Sequence, residues 1–287
     1  MTLHDAEEQL KSKLSSIYDT REAATIADWV MEQLSGWQKI DRLINKTSAL
    51  SEQKETALRQ YTHELMEHKP VQYVLHQAWF SGMKFYVDEN VLIPRPETEE
   101  LVEWVVEIAR PSVSKIRKIL DIGTGSGCIP IVLKKKLPEA EIYSCDIREG
   151  ALAIARRNAA SLHATVEFKK VDFLDPSQRL ELPEVDCVVS NPPYIPARDI
   201  NSIPRNVAAY EPHLALFVAD EDPLVFYKAM ADFGSKRLSA GGQLFAELHE
   251  SHANDVARLF EACRFSSIEV KKDMQGKERM IKATWLP

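Results

Sequence analysis

Cysteine is scarce in this chain. Cys128, Cys145, Cys187 and Cys263 are its four, scattered through 287 residues and never in Cys-x-x-Cys spacing. That excludes a disulfide framework and leaves little for a zinc site, so the four are expected to be reduced core thiols. Long apolar runs are missing too. No stretch approaches the roughly 18 apolar residues that bridge a bilayer. The opening Met1-Thr2-Leu3-His4-Asp5-Ala6-Glu7-Glu8 has no basic segment followed by an apolar one. No membrane span and no secretory signal are expected, and the expected location is the cytoplasm. Basic charge is not in excess, the formal net charge being −7. Neutralising phosphates dominates affinity for duplex nucleic acid, so stable binding to it is not expected. The eight histidines show no metal spacing; His249 and His252 lie three apart without a third ligand, so no metal is expected and capping or surface roles are. With ten glycines against 45% hydrophobic residues, the composition is that of an ordinary globular protein, long enough for about two domains.

Three regions differ in pattern. Residues 1–72 read as helices: Ile26, Val30 and Leu34 recur every four residues, and Leu58, Tyr61 and Leu65 repeat the stripe after Ser51, a candidate N-cap. Gly36 and Asn45-Lys46-Thr47-Ser48 read as breaks. This bundle has no nucleophile, metal cluster or glycine loop and is expected to recognise a partner. Residues 73–96 read as a β-hairpin linker, with Phe80, Phe85, Tyr86 and Val87 around the turn signal Ser81-Gly82. Pro94 and Pro96 forbid regular helix. Residues 97–287 form the third region: a helix over Leu101, Trp104, Val105 and Ile108, then alternating strands and helices. Strands are expected at 118–122, 141–145, 165–169, 185–190, 243–248, 267–271 and 279–285, with helices such as 150–160 and 223–238 between them. The alternation predicts a doubly wound α/β sheet with ligands at the carboxyl ends of its strands.

The most informative segment is Ile119-Leu120-Asp121-Ile122, running into Gly123-Thr124-Gly125-Ser126-Gly127 and then an apolar helix. Glycine permits positive φ and close approach of backbone to ligand. The spacing is GxGxG, which is neither the GxGxxG of nicotinamide enzymes nor a P-loop. Asp121 would repel a pyrophosphate but suits a cationic amino group. Asp146 ends the next strand, 23 positions after Gly123, where an acid accepts from ribose hydroxyls. Asp172 and Phe173 follow the third strand, placed to accept from an adenine amino group and to stack on its ring. A ligand carrying ribose, adenine and a cationic amino acid satisfies this set, and S-adenosylmethionine is one.

The fourth strand ends in Asn191-Pro192-Pro193-Tyr194. Its prolines lock the backbone and carry no N–H. Asn191 and the Pro192 carbonyl offer two acceptors for the two hydrogens of an –NH₂ group, and Tyr194 offers a flat wall. With both N–H bonds held, the nitrogen is aimed at the sulfonium methyl. Transfer is then an in-line displacement helped by orientation and by stabilisation of growing positive charge. A nucleic-acid base amino group is an alternative acceptor, which would call for a basic groove and a target-recognition domain, neither visible. A non-catalytic cofactor-binding module is the other alternative, opposed by the intact Asn191 beside an intact loop.

At these residues the chain resembles the amino-methyltransferases with an Asn-Pro-Pro-Tyr motif, and more closely the release-factor glutamine methyltransferases of the HemK/PrmC family. The resemblance spans nearly the whole chain through Ile93-Pro94-Arg95-Pro96-Glu97-Thr98-Glu99, the cofactor loop, Asn191–Ile195, and Tyr210-Glu211-Pro212 with Ala215-Leu216. It implies a helical bundle, a hairpin and a Rossmann-like seven-stranded class I methyltransferase domain whose last strand is antiparallel. It also implies that the chain converts S-adenosylmethionine to S-adenosylhomocysteine while methylating the glutamine of the Gly-Gly-Gln loop of class 1 release factors; a monomer is expected, and a non-catalytic release-factor-binding module is the alternative. By the same resemblance, residues 123–127, Asp146 and Phe173 hold the cofactor and residues 191–194 hold the glutamine. The chain departs from the family at Glu247-Leu248-His249, where Glu-Ile-Gly is usual, and at Phe217–Pro223; both segments are expected to lie outside the chemistry.

Overall fold

The computed structural model describes residues 1–110 and 116–286; the expected third region also contains residues 111–115 and 287, which lie outside them. Two compact units form. One comprises Met1–Gln77 with Pro204–Tyr210, the other Ala78–Ile203 with Glu211–Pro287.

The first unit is built of helices Leu3–Leu14, Thr20–Ser35, Lys39–Ile44, Glu52–Met66 and Val71–Val74. Their ends are written in the sequence. Thr2 and Asp5 form a reciprocal capping box, Asp19 accepts from the N–H groups of Arg21 and Glu22, and Ser51 caps the fourth helix as expected. Gly36 ends the second helix at φ +76°, a conformation that glycine adopts without strain. Leu10, Leu14, Val30, Met31 and Leu65 fill the core. Helix continues to Val74, so the unit runs past residue 72 to Gln77. The later segment 204–210 joins it, with the Tyr210 hydroxyl donating to the Glu67 carbonyl at 2.7 Å.

In the second unit, hairpin strands Ala78–Phe80 and Met83–Phe85 turn at Ser81-Gly82. Then comes a seven-stranded sheet. Its strands, numbered in chain order, are β1 (Lys118–Ile122), β2 (Glu141–Asp146), β3 (Glu167–Lys170), β4 (Val185–Ser190), β5 (Leu238–Glu247), β6 (Phe265–Lys272) and β7 (Glu278–Trp285). Their spatial order is β6-β7-β5-β4-β1-β2-β3. β7 runs antiparallel to both neighbours; the pairs from β5 to β3 are parallel. β5 starts five residues before the expected 243, at Leu238, because Gly241, at φ +80°, absorbs a register shift against β4.

Alternate residues of each strand feed opposite faces. Ile119, Cys187, Val189 and Phe245 pack under helices Pro96–Ala109 and Cys128–Lys136. Leu120, Val188, Leu244 and Ala246 pack under helices Val225–Arg237 and Ala253–Ala262. Both faces are covered, which is why these strands read as continuous apolar runs. The strand order reverses between β1 and β4, and such a switch point opens a crevice at the carboxyl edge. Among the described residues no helix is long and apolar enough to cross a membrane.

Candidate active site

Strand register brings the expected residues together. Ile122 of β1 is level with Cys145 of β2 and with Ser190 of β4. The next residues in each chain are Gly123, Asp146 and Asn191, so the glycine loop, the acidic tip and the Asn-Pro-Pro-Tyr turn leave three adjacent strands at one height. Ser190 adds a tie across the switch point, its hydroxyl donating to the Ile122 carbonyl at 2.8 Å. Asp172 and Phe173 follow β3 one strand further out.

The loop is folded by its own backbone. The N–H groups of Gly123 and Thr124 donate to the Cys145 carbonyl at 2.9 and 3.0 Å. The Gly125 N–H donates to the Asp146 carboxylate at 3.1 Å, whose other oxygen accepts from the Arg148 N–H at 2.9 Å. Gly123, Gly125 and Gly127 have φ of 78°, 52° and 82°, which explains the glycine spacing. A Cβ added at Gly123 or Gly125 would meet nothing within 4 Å, whereas one at Gly127 would meet Ile131 at 3.0 Å and Ala155 at 3.1 Å. The first two glycines border open space; the third is needed for helix packing. Asn158 secures the loop from below, donating to the carbonyls of Ser126 and Tyr86, both at 2.9 Å.

Asp121 lies beneath the loop rather than on it. Its carboxylate is fully buried and accepts from the Ser144 hydroxyl at 2.7 Å. Its second oxygen, with the hydroxyls of Thr124 and Ser126, is buried without a hydrogen-bond partner. Burial pushes the Asp121 pKa up to about 7, against the hydrogen bond from Ser144 and with help from the Asp146 charge. A cation above the loop would draw it back to the ionised form, so its influence on a ligand is one of charge. Open backbone at two glycines, an acidic strand tip and a buried acid fit a cationic nucleoside such as S-adenosylmethionine. Asp172 accepts from the Leu174 N–H at 2.9 Å. The expectation that Phe173 stacks on adenine meets a ring already enclosed: it is buried, with Phe233 and the Arg179 guanidinium each 5.7 Å away.

The Asn191 corner is held by side chains from distant segments. Asn191 Nδ2 donates to Thr98 Oγ1 at 2.9 Å, and Thr98 Oγ1 donates to Glu247 Oε2 at 2.7 Å. Tyr194 Oη donates to Glu247 Oε1 at 3.0 Å. Thr98 comes from the first turn of helix Pro96–Ala109. Glu247 ends β5, one residue past Ala246, which is level with Ser190, so it stands beside Asn191. The segment 247–249 was expected outside the chemistry; register places its first residue against the Asn-Pro-Pro-Tyr turn. Burial raises the Glu247 pKa, while Thr98, Tyr194 and Arg279 oppose the rise. Burial, together with the Glu247 charge, also raises the Tyr194 phenol, which therefore stays a donor. His249 caps the turn that follows, accepting from the Ser251 N–H at 3.3 Å. The two flanking signatures also meet: Glu211, buried, accepts from Arg95 at 2.6 Å and from the Ile93 N–H at 3.2 Å. Among the described residues no group of His, Cys, Asp and Glu is arranged to hold a metal.

Sheet order, glycine loop and Asn-Pro-Pro-Tyr turn together define a Rossmann-like methyltransferase that uses S-adenosylmethionine. Residues 104–207 match the family described as methyltransferase small domain, and residues 3–75 match the PrmC N-terminal domain. The release factor glutamine methyltransferase of Flavobacterium psychrophilum is 39% identical over 290 residues, covering 99% of this chain and all of the relative. That of Bacteroides thetaiotaomicron is 38% identical, over 96% of this chain and 97% of the relative. The chain belongs to the release factor glutamine methyltransferase family. In fold it is similar to the hMettl16 catalytic domain, solved in complex with the MAT2A 3'UTR hairpin 6, at a TM-score of 0.56 and 16% identity over 82% of each chain.

Proposed function

We propose that this enzyme methylates the side-chain amide nitrogen (N5) of the glutamine in the Gly-Gly-Gln loop of class 1 peptide chain release factors. The observation that carries the reading is the Asn191 amide, which spends its Nδ2 on Thr98 at 2.9 Å beside the strand end that leads into Gly123. Its oxygen is thereby left to accept.

Residues 123–127, Asp146 and Asp172, with Asp121 beneath, hold S-adenosylmethionine, which supplies an electrophilic methyl group when bound. Asn191 Oδ1 and the Pro192 carbonyl take the two N–H bonds of the glutamine amide. Pro193 and Tyr194 wall its planar face. Both acceptors are fixed before the reaction, so positive charge growing on nitrogen meets oriented dipoles that need no reorganisation. The extra proton leaves to water after transfer.

The first unit docks the release factor. Ile40, Leu43 and Ile44 of helix Lys39–Ile44 are exposed, with Trp29 and Trp37 exposed in the same unit; apolar side chains concentrated at a surface are a feature of protein-binding sites. The enzyme acts as a monomer in the cytoplasm, where release factors work, without stable binding to nucleic acid.

Labelled S-adenosylmethionine and an unmodified class 1 release factor test the reading, with the Gly-Gly-Gln glutamine changed to alanine as control. Incorporation that vanishes in the control is expected. Equal incorporation in the control, or none despite bound cofactor, contradicts the substrate.

A further inference from the structure

We propose that Glu247 and Thr98 are a positioning relay that sets which end of the Asn191 amide faces the acceptor nitrogen. The proposal rests on the reading of Asn191 as the residue that binds the acceptor –NH₂.

An Asn side chain has an oxygen and an NH₂ of nearly the same shape. Turned one way it accepts from a substrate N–H; turned the other it presents a donor to a donor. A hydroxyl beside it does not decide the matter, because a hydroxyl both donates and accepts. A carboxylate does decide it, because it only accepts. Glu247 is buried, with one oxygen 2.7 Å from Thr98 Oγ1 and the other 3.0 Å from Tyr194 Oη. Thr98 has a single hydroxyl proton and spends it on Glu247. It then has only lone pairs to offer Asn191, which must donate its Nδ2, at 2.9 Å. The polarity runs from Asn191 through Thr98 to Glu247, and Asn191 Oδ1 is left for the substrate. The same carboxylate accepts a hydrogen bond from the Tyr194 hydroxyl and so fixes the wall of the acceptor site.

The relay needs Glu247 ionised. The groups that face it are Thr98 and Glu97 from helix Pro96–Ala109, Tyr194 after β4, and Arg279 from β7. Tyr227, from helix Val225–Arg237, donates its hydroxyl to the Glu247 backbone carbonyl at 2.9 Å. Arg279 supports the charge; burial and Glu97 oppose it, and the balance raises the carboxyl above its ordinary range. A protonated Glu247 would itself donate to Thr98, free the Thr98 proton for Asn191 and let the amide turn over. Activity should therefore have an acid limb above the usual carboxylate range.

Thr98→Val removes the hydroxyl at nearly constant shape, and Thr98→Ser keeps it. With saturating S-adenosylmethionine and an unmodified release factor, Thr98→Val is expected to lower kcat by roughly 10- to 100-fold with KM little changed. Its cofactor Kd should stay that of the native enzyme, and Thr98→Ser should recover most of the loss. Because Thr98 acts through Asn191, the double variant with Asn191→Ala should be no slower than Asn191→Ala alone. Near-native turnover in Thr98→Val, failure of Thr98→Ser to recover, or multiplying losses in the double variant would each overturn the relay and leave the Asn191 reading standing. Native turnover in Asn191→Ala would instead overturn the reading on which the relay rests. Should Thr98→Val fail to fold, the native kcat profile decides. An acid limb above the ordinary glutamate range supports the relay, and a profile flat down to about pH 5 overturns it.

Discussion

The glycine loop and the Asn-Pro-Pro-Tyr turn leave neighbouring strands at the same height, yet they are held in different ways. The loop is contiguous and rests on backbone. Its amides bond to the Cys145 carbonyl and the Asp146 carboxylate, and three positive-φ glycines let it fold that way. The turn is held by side chains that converge from residues 98 and 247, far apart in the chain. A binding surface made of backbone tolerates little at its glycines. A turn held by side chains depends on which of them donate and which accept.

That contrast can be broken first at Asn191. Asn191→Ala should lower kcat by roughly 10²- to 10³-fold, the usual cost of one oriented polar group in an active site. Steady-state methylation of a release factor measures it, and near-native turnover would remove Asn191 from the chemistry. The loop responds next, through Asp121. With a pKa of about 7, it ionises as pH rises, and a ligand cation favours the ionised form. Affinity for S-adenosylmethionine should therefore fall about three- to tenfold between about pH 8 and pH 6, and Asp121→Asn should flatten that dependence. Calorimetric titration across the range reads it; an unchanged slope in Asp121→Asn places the titrating group elsewhere. The same shift acts on the ligand-free protein. The folded pKa is raised above the unfolded value, so the stability gained from holding the proton is complete below about pH 4 and is lost as pH rises through about 7. The smallest effect should be at Gly127. Gly127→Ala, strained by its left-handed φ and by Ile131 and Ala155, should cost roughly 1–2 kcal/mol of stability, visible as a lower Tm. An unchanged Tm would mean that the loop relaxes at no cost.

The same division governs what could be read from the chain alone. The sheet was legible because each buried strand is an apolar run between turn signals; β4 falls at residues 185–190 in both. The loop was legible because glycine spacing reports backbone conformation directly. The helical caps at Gly36 and Ser51 were legible for the same local reason. The support of Asn191 was not. Thr98 and Glu247 carry no spacing signal, and what joins them to Asn191 is the register of β5 beside β4 and the entry of one helix above them. Phe173 shows the opposite limit: an aromatic after a strand tip looks available for stacking, and only packing reveals that Phe233 and Arg179 already enclose it. The contribution of 204–210 to the helical unit is likewise a long-range contact with no local mark.

The division of labour is tested most directly by measuring the cofactor Kd and the single-turnover rate of methyl transfer side by side in Asn191→Ala and Asp146→Ala. A crossing pattern is expected. Asn191→Ala keeps the native Kd and loses the rate; Asp146→Ala raises the Kd and, at saturating cofactor, keeps most of the rate. Two variants that lose both properties together, or an Asp146→Ala protein that is folded and binds with native Kd, would contradict it.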